Sequence, residues 1–470
     1  MQDRLPHHNH LWPQDSSEPL EFIKNITVFL DESGRAFAEV SDEARTMLAI
    51  ESAGFRKWLS FKYHRCNRKN ISKWDVDDII ATLAGRAAHE GAKRSISCRV
   101  AATGDRLYLD LGDSSRRVVE ITAKGHVIVD PPVDVCFIRP KGLLPLPTPV
   151  VDETAIKRFQ ELLRLSDDQM TIVLAWLVAS LRPGDECPIL HVFGTNSDAL
   201  ALAIRNLVDP HSSGIRSCGR TEQDLRIAAS QGWCHVVQIN RIVGWLSDSI
   251  RNIYFDTTLG MKQLYTNDEE VLFGGRHPMI LVSDFGRHLG DALVPYVVTI
   301  EAPELGGPSS KSVQQLRKEL DTLRPRILEM LLTMLSATIE WRDYRPACAG
   351  PLMEFQNLGA QLEVGHWPNG SFIQAYAASR LAGDPFARRL VQFTLRTKHW
   401  FGTATELLYA LERFATSQEQ DSATWPQNPT VVGKKVRELG SLVAEFGVTI
   451  GAWREPGGAR ERKIVLKATS

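Results

Sequence analysis

The sequence predicts an α/β protein built around a parallel β-sheet. Between residues 143 and 304, short apolar runs of strand type alternate with segments of helical apolar spacing. This alternation is typical of a parallel sheet that is covered by helices on both faces. Before this part the pattern is mixed α and β, and after it the pattern is mostly helical. A chain of 470 residues is long enough for roughly two to four domains.

Prolines and composition divide the chain into segments. The run Leu143-Leu-Pro-Leu-Pro-Thr-Pro149 is stiff and extended, because proline fixes φ and removes a backbone donor, so it marks a boundary. His7, His8 and His10 lie in a polar stretch that we interpret as a solvated tail rather than a metal site. The predicted division is a flexible tail at 1–19, an N-terminal α+β domain at 20–142, a core at 143–304, a helical region at 305–400 and a winged-helix domain at 401–470.

The elements of the first half follow from apolar periodicity. In the N-terminal domain we expect a β-hairpin at 26–40, helices at 43–62 and 74–90, and strands near 97–100, 107–111, 118–121 and 126–129. In the core we expect helices at 153–165, 167–181 and 199–208, and strands at 188–193, 234–239, 279–283 and 294–301.

The second half is read in the same way. We expect a long helix at 313–341, further helical structure to about residue 397, helices at 405–414 and 430–446, and strands at 448–452 and 463–467. Two helices, a strand, a glycine-rich basic turn and a second strand follow the order of a winged-helix domain.

Composition limits the class of protein. The formal net charge is −1, so any nucleic-acid surface would have to be local. The seven cysteines are widely spaced and never form C-x-x-C, which favours reduced, mostly buried thiols over disulfides or a zinc site. The apolar runs are too short to cross a bilayer. We therefore expect a cytoplasmic protein with no membrane partner and no bound metal.

The core contains the frame of a phosphate-binding loop without its chemistry. An apolar strand ends at Gly194 and a helix follows, but the segment Gly194-Thr-Asn-Ser-Asp-Ala-Leu-Ala-Leu-Ala203 lacks the second glycine, the lysine and the Ser/Thr of G-x-x-x-x-G-K-[ST]. No lysine occurs between Lys157 and Lys262, and Asp198 adds negative charge where phosphate would bind. An ordinary strand-to-helix turn in a chain that never bound nucleotide is the alternative reading of the same residues.

The second half of an ATP site is a carboxylate that holds magnesium at the end of a neighbouring strand. The candidate strand here, from Gly232 to Asn240, ends in neutral residues. We therefore expect no bound cofactor, with ATP and Mg²⁺ as the less favoured alternative. The predicted degenerate nucleotide site consists of Gly194, Thr195, Asn196, Ser197, Gln238 and Asn240.

Two basic clusters predict binding to nucleic acid. The first lies on a predicted recognition helix and on the turn of the predicted wing, where cations would neutralise phosphates. Its residues are Lys434, Lys435, Arg437, Arg454, Arg460, Arg462 and Lys463. A solvated basic face is the alternative, since glutamates dilute the charge.

The second cluster lies near the front of the chain, where cations are interleaved with aromatic residues. Rings and cations together suit single strands, because bases stack on rings while cations follow the backbone. The predicted contact residues are Arg56, Lys57, Lys62 and Arg65. Trp58 and Phe61 are also spaced to face a helix core, so a structural role for the aromatic residues stays open.

No catalytic residue is predicted. Asp110 and Asp113 with Glu120 and Lys124 have the residue types of a nuclease, but the acid and the lysine are not spaced to share one side of a strand. The acidic run Asp268-Glu269-Glu270 is interpreted as a solvated loop or a subunit contact.

A family resemblance extends along most of the chain. It is carried by Phe55-Arg-Lys-Trp-Leu59, Tyr108 to Asp113, Val119 to Thr122, Gly232-Trp233, Trp245 to Asp248, Gln263 to Phe273, Arg276 to Leu281, Trp400 to Leu408 and Trp425-Pro426. Through these segments the chain resembles helicase-primase-like proteins of phages and mobile elements, which are P-loop ATPases of the AAA+ class. The resemblance implies a P-loop core with a parallel sheet, ATP-dependent work on DNA and ring-shaped assemblies.

The departures from this family fall on its chemical residues. The resemblance implies a lysine followed by Ser or Thr, an Asp-Asn pair, a sensing asparagine and an Asp-Arg pair. At those places this chain has Ala199 to Ala203, Gln238-Ile239, Val282-Ser283 and Asp291-Ala292. The scaffold segments therefore persist while the residues for ATP hydrolysis do not.

Together these observations predict a DNA-binding, helicase-like protein of a mobile genetic element that does not hydrolyse ATP and serves as an assembly or regulatory subunit in DNA replication or maintenance. Its expected partners are DNA and either further copies of itself or an active ATPase relative. Two alternatives remain: an active ATP-dependent helicase with an unorthodox loop, and a protein-interaction module that binds no nucleic acid.

Overall fold

The structure is a computed structural model, and it describes residues 23, 26–41, 45–222, 224–225, 232–239, 244–255, 277–284, 289, 292–304, 313–346, 348, 350–422, 424–454 and 462–468. The predicted tail, Asn240, the acidic run at 268–270 and Arg460 lie outside these residues. All seven cysteines are free, and Cys98, Cys136, Cys187 and Cys234 are buried.

The chain begins with a small sheet covered by two helices. Its strands are β1 (Thr27–Leu30), β2 (Ala36–Ser41), β3 (Arg45–Ala49) and β4 (Ala92–Lys93), in the order β3-β2-β1-β4. The helices are α1 (Ala53–Asn67) and α2 (Lys73–Glu90). Phe55 and Leu59 of α1 and Ile79 and Leu83 of α2 are fully buried in one cluster with side chains of the sheet.

The prediction of a helix at 43–62 is wrong in its first part. Residues 45–49 form β3, which pairs antiparallel with β2. Met47 packs with Phe29 and Phe37 in a small core, so burial against the sheet outweighs the helical propensity of this segment. The helix starts only after Ser52, whose hydroxyl accepts a hydrogen bond from the N–H of Phe55 at 3.1 Å.

A second sheet follows as an antiparallel meander. Its strands are β6 (Val100–Thr103), β7 (Arg106–Asp110), β8 (Val118–Thr122) and β9 (Gly125–Val129), and a short pair, β5 (Ile96–Ser97) and β10 (Cys136–Phe137), lies beside it. Val119 and Ile121 are buried in the largest core cluster of the protein. Arg139, which follows β10, donates to Asp110, and Arg117 donates to Asp113, so both carboxylates are paired with arginines.

The central sheet is wholly parallel, as predicted. Its strands are β11 (Ile189–Phe193), β12 (Arg216–Ser217), β13 (His235–Gln238), β14 (Met279–Ser283) and β15 (Val297–Glu301), in the order β12-β13-β14-β11-β15. The helices are α3 (Ala155–Leu163), α4 (Asp167–Ser180), α5 (Ser197–Val208) and α6 (Gly244–Tyr254). Leu190 and Ile280 face α4 and α5, and Ile189 and Leu281 face α6, so both faces are covered.

A buried ion pair joins the N-terminal part to this core. Arg99 precedes β6 and Asp209 follows α5, and Arg99 Nη2 lies 2.9 Å from Asp209 Oδ1 with both side chains almost fully buried. Arg99 also donates to the carbonyl oxygens of Asp110 and Leu144. Asp209 accepts hydrogen bonds from the N–H groups of Trp233 and Cys234. Both charges are therefore fully hydrogen-bonded, which burial requires.

The second half contains a helical layer and a separate C-terminal core. The helices of the layer are α7 (Val313–Glu340), α8 (Met353–Gly365), α9 (Ser371–Leu381) and α10 (Pro385–Thr397). The C-terminal elements are β16 (His399–Thr403), α11 (Ala404–Glu412), α12 (Ser417–Gln420), α13 (Pro429–Glu438), α14 (Gly440–Ala444), β17 (Val448–Arg454) and β18 (Arg462–Ala468). The three strands form an antiparallel sheet in the order β16-β18-β17. Its inner face shares a hydrophobic cluster with α10, α11 and α13.

Candidate functional site

The predicted nucleotide residues meet at one edge of the central sheet. Because β11, β13 and β14 are parallel neighbours, their carboxyl ends lie side by side. The N–H of Gly194 donates to the carbonyl of Ser283 at 3.1 Å, and the N–H of Ile239 donates to the carbonyl of Val282 at 2.8 Å. The fold therefore brings the Gly194–Ser197 loop next to the end of β14 and places Gln238 at the same edge.

The loop after β11 is short and closed. Only Gly194, Thr195 and Asn196 separate β11 from α5. Gly194 has a φ of 108°, and a Cβ there would lie 3.2 Å from the carbonyl oxygen of Ala302. The side-chain amide of Asn196 donates to the carbonyl of Pro303 at 3.0 Å. The loop is thus held against the segment after β15.

The charge at this edge is negative. Asp198 lies in the first turn of α5, where a phosphate would meet the helix. Burial raises the pKa of the Asp198 carboxyl, and the nearby carboxylate of Asp284 raises it further. Two carboxylates within electrostatic reach of each other oppose the binding of a triphosphate at this helix end.

The end of β14 contributes a neutral hydrogen-bonded pair. Ser283 is buried, and its hydroxyl lies 2.9 Å from Nε2 of His191 in β11. Burial lowers the pKa of His191 to about 4, so its ring is neutral at pH 7. Ser283 stands where the family resemblance implies a sensing asparagine. Its hydroxyl is therefore hydrogen-bonded to His191 inside the sheet.

The C-terminal basic residues divide into outward and inward groups. Lys434 is exposed and lies 3.6 Å from Glu438, and Arg437 is exposed one turn further along α13. Lys463 is half-buried on β18, with its ammonium 5.0 Å from the centroid of the Phe401 ring. These side chains lie on or near the surface, as a nucleic-acid contact requires.

Lys435 points into the protein. Its side chain is 13% exposed, its ammonium lies 2.9 Å from Asp384, and it also donates to the carbonyl of Thr424. The ammonium is 5.5 Å from the centroid of the Phe386 ring. Lys435 therefore stabilises the C-terminal core and does not belong to the outward basic face. The backbone of Arg454 and Arg462 lies in β17 and β18, but their side chains and the whole of Arg460 are outside the described residues.

The front cluster is also divided. Arg56 forms an ion pair with Asp77 of α2 at 2.5 Å, and Lys62 is half-buried. Lys57 and Arg65 face solvent. Phe61, which the spacing also allowed to face the core, is 58% exposed and points away from it. Helical spacing alone left this open, since only the packing partner of a helix decides which of its faces is buried.

Among the described residues, no group of three or more His, Cys, Asp or Glu side chains is placed to hold a metal ion. In the same part of the chain, no helix is both long and apolar enough to cross a membrane.

Comparisons with known proteins give a match in the C-terminal part. No curated protein matches the chain. Among solved structures it is similar to the SCCmec type IV Cch active helicase, with 10% identity, coverage of 94% of this chain and 93% of that chain, and a TM-score of 0.42. It is similar to the apo C-terminal region of NrS-1, with 10% identity, coverage of 97% and 100%, and a TM-score of 0.39.

A third solved structure to which the chain is similar is that of a full-length MCM homologue from Methanopyrus kandleri. The identity is 12%, the coverage is 84% of each chain and the TM-score is 0.24. The family match is confined to the end of the chain, where residues 386–470 match the AICE RepA C-terminal domain. This segment begins within α10 and includes the whole β16-β18-β17 sheet. The C-terminal part of the chain is thus similar to the C-terminal domain of RepA, a mobile-element replication protein.

Proposed function

We propose that this protein binds DNA in the replication of a mobile genetic element, and that its central sheet is a P-loop-type core that does not hydrolyse ATP. The match of residues 386–470 to the RepA C-terminal domain supports the replication role. The parallel sheet supports the relation to P-loop ATPases, because its inner strand β11, between β14 and β15, leads through a glycine into a helix at the carboxyl edge.

The DNA-binding part of the proposal rests on the C-terminal domain. We propose that this domain is a winged helix; its order of α10, β16, α11, α13, β17 and β18, with a sheet in the order β16-β18-β17, supports this assignment. In that arrangement α13 is the recognition helix, and Lys434 and Arg437 lie on its outward face. Beside α13 is a groove of about 360 Å³ lined by Thr430, Gly433 and residues of β17. The backbone of a duplex would contact Lys434 and Arg437.

The closed loop after β11 is the main support for the proposal that the core does not hydrolyse ATP. A bound triphosphate needs free backbone N–H groups, a lysine and a magnesium ligand. Here the loop is tied to Pro303 through Asn196, and Asp198 faces another carboxylate. The neutral Gln238 ends the strand that would hold the metal. Each missing charge-assisted hydrogen bond costs about 1.5–3 kcal/mol, and the transition state loses more than the ground state.

A protein of this kind acts by occupying a place in an assembly. Its sheet supplies a rigid frame, and its C-terminal domain supplies the DNA contact. Copies of the chain, or an active ATPase relative, are the proposed partners. The helices α7 to α9 connect the frame to the DNA-binding domain.

Binding of the full-length chain to duplex DNA tests the first part. We expect a complex at low salt in fluorescence anisotropy, and a weaker one for Lys434→Glu and Arg437→Glu on every sequence tried. Each lost phosphate contact reduces the slope of log K against log salt by about 1. Lys318→Glu on α7 is the matched control, because it changes charge at an exposed position of the helical layer. A chain that shifts neither duplex nor single-stranded DNA would overturn the DNA-binding role and favour a protein-interaction module.

Phosphate release from ATP tests the second part. We expect no turnover above background, with or without DNA, and no rise in melting temperature on addition of Mg-ATP. DNA-stimulated release that disappears in Asn196→Ala would instead establish an active enzyme with an unorthodox loop.

A further inference from the structure

The outward face of helix α1 carries a stripe of cations around an aromatic ring. The buried side of α1 consists of Phe55, Leu59 and Tyr63. The residues on the opposite side repeat at helical spacing and all face solvent. We call this stripe the α1 face; it consists of Lys57, Phe61, His64, Arg65 and Arg68. Phe61 lies at its centre, with the Arg65 guanidinium 5.8 Å from the ring centroid.

The charge of this region is strongly one-sided. From Ala53 to Trp74 there are seven Lys and Arg residues and no Asp or Glu. Of these cations, Arg56 is paired with Asp77 at 2.5 Å. Lys69 and Lys73 are exposed in the connection to α2 and at its start, and they extend the charge of the α1 face towards Trp74. A positive surface of this density attracts a polyanion.

Two large aromatic side chains of α1 and α2 are exposed. Trp74, in the first turn of α2, is 82% exposed, and Phe61 is 58% exposed. Among the described residues before Val127, these are the exposed large hydrophobic side chains. They are therefore isolated rings among cations rather than parts of a continuous apolar patch, which is what a protein partner would bury.

We propose that the α1 face, together with Lys73 and Trp74, binds single-stranded DNA. Bases stack on the rings of Phe61 and Trp74, while Lys57, Arg65 and Arg68 contact the phosphates. A duplex fits less well, because its bases are already stacked on each other and offer no free ring faces. This proposal deepens the DNA-binding function proposed above, and it adds a strand-selective site on a different part of the chain from α13.

Anisotropy of labelled oligonucleotides on the full-length chain tests this site. We expect a 20-nucleotide oligo-dT to bind the wild type, and Phe61→Ala and Trp74→Ala each to weaken it by about tenfold. Lys57→Gln is expected to lower the salt slope by about 0.7, which is the effect of one lost phosphate contact on a single strand. Binding of duplex by these variants should stay within twofold of wild type.

Controls separate this site from the C-terminal one. Trp341→Ala removes an exposed ring at the end of α7 and should change nothing. Lys434→Glu should weaken duplex binding and leave oligo-dT unaffected. Trp74 also provides a spectroscopic signature, because oligo-dT should quench tryptophan fluorescence in the wild type and quench it less in Trp74→Ala.

Four outcomes would overturn the proposal. The first is oligo-dT binding that is unchanged in Phe61→Ala and Trp74→Ala. If duplex binding is still weakened by Lys434→Glu, the function proposed above remains valid without this site. The second is an equal loss of duplex and oligo-dT binding, which would mean a general basic surface. The third is binding of an acidic peptide such as oligo-glutamate with the same affinity as oligo-dT. The fourth is tighter binding of oligo-U than of oligo-dT, which would assign the site to RNA instead of DNA.

Discussion

At the scale of single residues, Gly194 shows how the fold restricts the loop after β11. Its φ of 108° disfavours any side chain, and the nearest atom to an added Cβ is a backbone oxygen that has little room to move. We expect Gly194→Ala to lower the free energy of unfolding by about 1–3 kcal/mol in urea titrations. Gly184→Ala is the matched control, since Gly184 also has a positive φ but no atom near its added Cβ. Equal effects would mean that the contact with Ala302 is unimportant.

The buried pair of Arg99 and Asp209 gives a second prediction. Arg99→Met leaves the Asp209 charge buried without its cation, and removing one partner of such a pair costs about 3–5 kcal/mol. Urea unfolding should show this loss. Arg106→Met should change stability little, because the pair of Arg106 with Glu120 is exposed to solvent. A small effect of Arg99→Met would mean that water or another group compensates Asp209.

Single residues also show where sequence reasoning reaches its limit. Lys434 and Lys435 are adjacent and chemically identical, so no local pattern separates them. The structure separates them because successive residues of a helix point about 100° apart, and only Lys435 meets Asp384 and the Phe386 ring. In the same way, the meeting of Asp198 with Asp284 depends on the pairing of β11 with β14, which the sequence does not reveal.

At the scale of elements, α10 and α12 are joined through one carboxylate. Arg388 and Arg389 of α10 donate to Glu419 of α12 at 2.6 and 2.8 Å, and the N–H of Thr416 also donates to it. Burial alone would raise the pKa of Glu419, but the hydrogen bonds from Arg389, Thr416 and Arg388 outweigh it and lower the pKa to about 2.

This arrangement predicts a pH dependence. Because the pKa is lower in the folded state, the stabilisation is complete above the ordinary value of 4.5 and is lost as the pH falls towards about 2. Glu419→Gln should lower the urea midpoint at pH 6, and its difference from the wild type should shrink as the pH approaches 2. Asp421→Asn, at the end of the same helix, is the control. A difference that does not vary with pH would show that the charge of Glu419 is not what matters.

Elements with strong local periodicity were predicted well, and elements that depend on distant partners were not. The parallel sheet follows from its alternation with helices, and α2, α4 and β14 lie close to their predicted bounds. By contrast, β16 exists because it pairs with β18, more than fifty residues later in the chain. The single helix expected at 430–446 is divided near Leu439 into α13 and α14. Strand order could not be predicted either, because β11 lies between two strands that come much later in the sequence.

At the scale of the whole molecule, one arginine connects the central sheet to the C-terminal domain. Arg380 of α9 is 1% exposed and lies 2.8 Å from Glu445, just after α14. It also donates to the carbonyl oxygens of Val294 and Val297 at 2.6 Å each, next to the edge strand β15. The C-terminal domain otherwise has its own hydrophobic core. This pair therefore couples the two cores, alongside the apolar contact of Val294 with the C-terminal cluster.

We expect Glu445→Gln to uncouple them. Without the carboxylate the C-terminal domain should unfold first, so calorimetry should show an early transition followed by that of the remaining chain. Glu340→Gln, at an exposed helix end, should melt like the wild type. A single transition shifted as a whole in Glu445→Gln would indicate that the two cores are coupled through other contacts.

The division into five domains remains a prediction at this scale, although the RepA match starts at residue 386, before the predicted boundary at 401.

The brevity of the segment between β11 and α5 has an evolutionary consequence. Because the loop is so short, the segment Ala199 to Ala203, which stands where the family resemblance implies the lysine and the Ser/Thr, lies inside α5. A laboratory selection for ATP-driven growth of the element should therefore need several codon replacements in this segment, and a single replacement there should not be sufficient.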